Sequence, residues 1–171
     1  AKEQLEFLGV VSEDLEKMTD GERVMHRACG EGNVEVVSLL LTANADPHEP
    51  TSQEAGRKTA LRLAAAGGCE DICGLLLGAS VDVNAVDAGG RTAAYAASYA
   101  GFAKPLKLLI GRKADVNLAA NTVSPLLVAA ARGHQECISA LLEAKANVNA
   151  QKDNGASPAL MAAQNGHAEA L

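Results

Sequence analysis

The chain is short of large aromatic residues. Its 171 residues include two Phe, two Tyr and no Trp, although nearly half of them are hydrophobic. A round domain of this length ordinarily fills its centre with such rings, which carry the largest burial areas. That architecture is excluded as the first choice. The interior must instead be thin and built from Ala, Leu and Val; alanine alone accounts for 34 residues. No apolar run reaches the roughly 20 residues a membrane helix needs. The first residues, Ala1 to Leu5, have neither the basic start nor the long apolar stretch of a secretory signal. A basic stripe is missing too. The net charge is −6, with nine of the 21 acidic residues in the first 35 positions, so nucleic acid is not the expected partner. Disorder is excluded by a mean hydropathy of +0.03 and abundant Leu and Val.

Cysteine gives no framework either. Cys29, Cys69, Cys73 and Cys137 match no zinc spacing, and no nearby His completes a site around the one-turn pair Cys69 and Cys73. They read as small apolar residues of helices in a reducing compartment. No metal and no cofactor are expected.

What the chain does contain is a repeat. Thr59 to Gly68, Thr92 to Gly101, Ser124 to Gly133 and Ser157 to Gly166 align as a hydroxyl residue, an Ala-rich stretch and a closing glycine, with a weaker copy from His26 to Gly32. The closing glycines Gly32, Gly68, Gly101, Gly133 and Gly166 are 36, 33, 32 and 33 residues apart. Two further signals keep the same phase. Leu39 to Leu41, Leu75 to Leu77, Leu108 to Ile110 and Ala140 to Leu142 each begin seven residues after a glycine. Ala45-Asp46, Val81 to Asn84, Ala114 to Asn117 and Ala146 to Asn149 follow.

These signals have a physical reading. Thr59, Thr92, Ser124 and Ser157 are helix N-caps, whose hydroxyls accept from unpaired N–H groups. Pro125 and Pro158 suit the first helical position. Paired alanines keep this helix narrow enough for neighbours to approach, the glycine turns the chain, and a second helix buries the leucines. The Asp-Val-Asn segments lead out to a projecting loop, with Asp87-Ala88-Gly89-Gly90 and Asp153-Asn154-Gly155 as flexible tips. The fold expected is an all-α repeat solenoid of stacked helix-turn-helix units with hairpin-like loops.

The pattern closely resembles the ankyrin repeat family, with its period of 33 and Thr-Pro-Leu-His-x-Ala signature. Ser157 to His167 and Ser124 to His134 are the best matches. The resemblance covers residues 22–171, with repeats near 22–54, 55–87, 88–118, 119–151 and a partial one at 152–171. Departures from the family pattern are specific. Only His26 keeps the signature His; Arg62, Tyr95, Leu127 and Leu160 replace it, which puts its loop-bridging hydrogen bond in question. Asn44, Ser80, Lys113 and Lys145 stand where a Gly usually closes the second helix. A left-handed conformation there costs each of them about 1 kcal/mol, predicting a weaker array with more mobile loops. His134 and His167 fill a Gly-His slot read as helix capping, and Phe102 replaces that His as a packing residue.

Residues 1–21 fall outside the repeat and are expected to form a polar N-terminal helical cap, because a terminal repeat has one face without a neighbour. At the other end the fifth repeat is cut as its second helix begins, so the natural chain is expected to continue. A three-residue insertion between Asp46 and Thr59 reads more readily as a tolerated surface loop than as an extended binding finger.

Catalytic chemistry is absent from the pattern: there is no Ser-His-Asp grouping, phosphate loop or HExxH. The chain is therefore not expected to be an enzyme. The resemblance implies binding to another protein or peptide in a concave groove of loop tips and inner helices. Carried over slot by slot, the groove comprises Lys58, Arg91, Asn121, Val123, Asp153 and Asn154 on the loops, and Glu31, Tyr99, Arg132, Gln164 and Asn165 on the helices. Tyr99, flanked by Arg91 and Arg132, is the sharpest candidate, since exposed Tyr and Arg dominate interface energetics. Tyr95 is expected to pack between loops. The mid-groove is mildly basic and its N-terminal end acidic, which suits a partner of matching polarity. The resemblance also implies hydroxylation of Asn84, Asn117 and Asn149, and a monomer in the cytoplasm or nucleus. Two rival readings remain: a targeting or regulatory segment of a larger enzyme, such as a ubiquitin-ligase adaptor or kinase with catalysis outside this chain, and a structural spacer.

Overall fold

A computed structural model describes residues 24–168. The expected N-terminal cap, residues 1–21, lies outside the described residues. Nine helices follow one another along the described chain, in inner and outer pairs: α1 (Val24–Glu31) with α2 (Val34–Thr42), α3 (Ala60–Ala66) with α4 (Glu70–Gly78), α5 (Ala93–Ala100) with α6 (Ala103–Gly111), α7 (Pro125–Arg132) with α8 (Gln135–Glu143), and then α9 (Pro158–Gln164). Inner helices stack in the order α1, α3, α5, α7, α9, and outer helices in the order α2, α4, α6, α8. The result is a two-layer solenoid, as the repeat predicts.

The caps explain where the inner helices start. The hydroxyl of Thr59 accepts from the Arg62 N–H at 3.2 Å, Thr92 from Tyr95 at 3.1 Å, Ser124 from Leu127 at 3.2 Å and Ser157 from Leu160 at 3.3 Å. Each satisfies one orphan donor of its helix, a contribution of about 1 kcal/mol. Pro125 and Pro158 occupy the first turn. Ala64, Ala65, Ala94, Ala97 and Ala129 are fully buried between helices, while Ile72, Leu76, Leu106, Leu109 and Leu141 fill the layer between inner and outer rows. A larger residue at one of those alanines would force the rows apart, at about 1–3 kcal/mol.

The turn between the two helices of a pair depends on glycine for two separate reasons. Gly101 has φ +84°, and a Cβ placed there would lie 2.7 Å from the His134 ring. Gly133 stands in the same relation to His167, and the Phe102 ring fills the equivalent place against Gly68. His134 makes no side-chain cap for its own helix α8. Its Nε2 lies 3.2 Å from the Tyr99 carbonyl oxygen, one of the unpaired carbonyls at the end of the preceding inner helix. The capping role therefore crosses to the previous repeat.

Asn44, Ser80, Lys113 and Lys145 are all left-handed, with φ of 59, 63, 64 and 60°. The array thus carries the backbone strain its missing glycines imply. The loop between α6 and α7 adds more: Ala120 and Val123 form an isolated antiparallel bridge closed by Asn121 and Thr122, whose φ values are 46 and 65°. A β-branched residue at positive φ is a genuine outlier.

Loops are also tied along the array. The Asn84 side-chain oxygen accepts from the Asp115 N–H, and that of Asn117 from the Asn147 N–H, both at 2.8 Å. The insertion is an ordered hairpin. Buried Thr51 donates its N–H to the Lys58 carbonyl and accepts the Lys58 N–H on its hydroxyl at 2.7 Å.

Candidate functional site

Three of the eleven groove residues expected from the sequence come together in one place. Arg91, Tyr99 and Arg132 line a cleft of about 490 Å³ with Arg62, Ala66, Tyr95, Ala96, Ala100 and His134. It lies where inner helices α3, α5 and α7 meet the loop that precedes α5. Tyr99 is 45% exposed, and the Arg132 guanidinium sits over its ring, 3.6 Å from the centroid. Such a cation–π contact is worth about 0.5–1 kcal/mol at an exposed site. Tyr95 stacks on Tyr99 from one turn earlier, with centroids 6.4 Å apart and planes 19° from parallel. Its position corrects the expectation that Tyr95 packs between loops: residues four apart on a helix share a face, and both rings belong to the cleft. Burial pushes the Tyr95 phenol above its ordinary pKa.

The electrostatic centre of the site is Asp87, which the sequence suggests as part of a flexible tip. Its side chain is fully buried. Oδ1 accepts the N–H groups of Gly89 and Arg91 at 2.8 and 2.9 Å, and Oδ2 accepts from Arg91 Nε at 2.8 Å. Arg62 Nε stands 2.9 Å from the same Oδ2 as an ion pair, without the alignment of a hydrogen bond. Burial lowers the Arg62 pKa, partly opposed by Asp87. Arg62 therefore performs a loop-bridging task from the slot of the missing signature His. One carboxylate beneath three guanidiniums leaves the cleft with two uncompensated positive charges.

The other expected residues are spread along the array. Glu31 is exposed at the end of α1, Asn121 at a loop tip, Asp153 and Asn154 at another, and Gln164 at the end of α9. Val123 and Lys58 are half-buried, with backbones committed to the Ala120 bridge and the Thr51 hairpin. Asn165 donates its side-chain N–H to the Ala131 carbonyl at 2.8 Å, so it joins α9 to α7. Asn154 accepts the Ala156 N–H within its own turn. Sequence reasoning passed over Arg62 and Tyr95 for the site; the one-turn spacing of Tyr95 from Tyr99 was the available signal for the second.

Among the described residues no group of three or more His, Cys, Asp or Glu side chains could hold a metal ion, and no helix is long and apolar enough to cross a membrane.

Stacked helix pairs joined by projecting loops define a helical repeat solenoid. The family model for ankyrin repeats matches the chain in three overlapping segments, residues 2–87, 25–120 and 93–171. The chain belongs to the ankyrin repeat family. Ankyrin repeats are in general protein–protein interaction modules, and the family is typically non-catalytic.

Proposed function

We propose that this chain is a non-catalytic module that binds another protein, or a peptide segment of one, in the groove formed by its loops and inner helices. The observation that carries the reading is the Tyr95–Tyr99–Arg132 stack beside Arg62 and Arg91, since the chain's two tyrosines both fall on this one cleft. A rigid aromatic next to a guanidinium in a concave wall is the kind of anchor that concentrates binding energy. The outlying residues Glu31, Asn121, Asp153, Asn154 and Gln164 extend the same surface toward both ends. Work inside the cell fits the module, because its four cysteines are unpaired thiols, the form a reducing compartment maintains, and we take it to act as a monomer.

Asn84, Asn117 and Asn149 are proposed hydroxylation sites. They are not equivalent: Asn84 and Asn117 hold the next loop through their side-chain oxygens, and among the described residues Asn149 shows no such bond. Mass spectrometry of the native protein reads the modification directly.

The test compares affinity capture by three baits: wild type, Tyr99→Ala/Arg132→Ala, and Leu142→Gln on outer helix α8. Partners held by wild type and Leu142→Gln but reduced at least tenfold on the double variant support the groove. Equal capture by all three refutes it.

A further inference from the structure

The cleft is more specific than a general interaction surface. Its three guanidiniums, Arg62, Arg91 and Arg132, are spread over two inner helices and a loop. Among the described residues that line the cleft there is no Asp or Glu, and the Asp87 carboxylate that Arg62 and Arg91 share is completely covered. Solvent in the cleft therefore meets cations and aromatic rings but no carboxylate. Between them lie small alanines, Ala66, Ala96 and Ala100, which leave room for a main chain to come close. Arg91 is held at the rim by Asp87 and is still 43% exposed on its side chain. Arg132 is held by the Tyr99 ring. Both cations are thus partly ordered before any ligand arrives, which lowers the entropy cost of capturing an anion. Guanidiniums in this state match carboxylates through paired N–H groups.

We propose that the occupant of this cleft is an extended acidic peptide segment, with Asp or Glu side chains meeting Arg91 and Arg132 and a small or flat apolar residue over Ala96 and Ala100. This inference rests on the groove reading and names the chemistry of its partner. Arg62 and Arg91 share the single Asp87 carboxylate while Arg132 stands apart over the Tyr99 ring, so the two uncompensated charges favour two or more carboxylates in sequence. Arg132 is the residue to perturb, because Arg62 and Arg91 also hold the loop through Asp87.

A phage-displayed library of random 12-residue peptides, panned on the chain at low salt, tests the proposal. Selected peptides are then measured by fluorescence anisotropy against wild type, Tyr99→Ala and Arg132→Glu. The expected winners carry at least two Asp or Glu. They weaken at least thirtyfold on Arg132→Glu, weaken similarly when their acids become Asn or Gln, and weaken as salt rises. Winners that need Tyr99 but carry no excess of acids would overturn the acidic-peptide inference and leave the groove intact. Winners indifferent to both substitutions, or no enrichment at all, would overturn both. Circular dichroism of each variant separates lost binding from lost folding.

Discussion

Replacing Asp87 with Ala should unlock the central loop of the array. The substitution removes the acceptor of two backbone N–H bonds, at 2.8 and 2.9 Å, and the counter-charge of Arg91 and Arg62. Hydrogen bonds to a charged group are worth about 1.5–3 kcal/mol each, and breaking a buried pair costs about 3–5 kcal/mol. Two features bring the total to the low end. Arg91 can turn its half-exposed side chain to water, whereas Arg62, only 13% exposed, cannot. The loop also keeps its own backbone bonds, from Asp87 N to the Arg91 carbonyl and from Gly90 N to the Asp87 carbonyl. The expected loss is about 3 kcal/mol, or roughly 6–12 °C in Tm for a chain of this size. Asp87→Asn keeps Oδ1 for the two backbone N–H groups but puts an amide NH2 donor where Oδ2 accepts from Arg91 and faces Arg62, so it should recover only the backbone part of the loss. Urea unfolding followed by far-UV circular dichroism gives both values. A loss below about 1 kcal/mol for Asp87→Ala would refute the claim that this carboxylate holds the loop.

Four other outcomes are expected. Lys113→Gly and Lys145→Gly relieve left-handed strain at φ 64 and 60°; after the extra freedom of glycine in the unfolded chain is subtracted from the strain of about 1 kcal/mol, each should stabilise by up to about 0.5 kcal/mol, and destabilisation of both in urea would contradict it. Burial pushes Cys29 and Cys73 up to about 12 and Cys137 up to about 11. Iodoacetamide at pH 8 should therefore modify the half-buried Cys69 first, with the other three reacting only on unfolding, as read by intact mass. Because the unfolded thiols ionise near 9.0 while the folded ones resist, the folded state should lose stability progressively from pH 9 toward 12 and show no such loss below pH 9. Asn117→Ala should cost about 0.5–1.5 kcal/mol, because the Asn147 N–H loses its acceptor, whereas Asn149→Ala should be close to neutral; equal effects would refute the stapling role.

The repeat, the N-caps and the left-handed turns were legible because they are local: a hydroxyl before an Ala-rich run, a proline at the first turn, a glycine at its end. Asp87 was not. In a sequence, an Asp before Ala-Gly-Gly reads as a solvent-exposed turn residue, and only the stacked geometry reveals that Arg62 from inner helix α3 reaches it. The same reason hides the link from His134 to the Tyr99 carbonyl, which spans two repeats, and the use of Asn165 as a tie to Ala131. Tyr99 and Arg132 were found from their slots, yet their direct stacking needed the distance between α5 and α7. Glu31, Asn121 and Asp153 lie outside the cleft that Tyr99 and Arg132 line, so sharing a slot in the repeat does not by itself make one compact site.

The central claim is that partners meet the inner-helix face. Hydrogen–deuterium exchange, with and without a saturating peptide selected on the chain, tests it most directly. The account predicts slowed exchange in α5, in α7 and from Asp87 to Thr92, with outer helices α6 and α8 unchanged. Protection confined to α6 and α8 would contradict it.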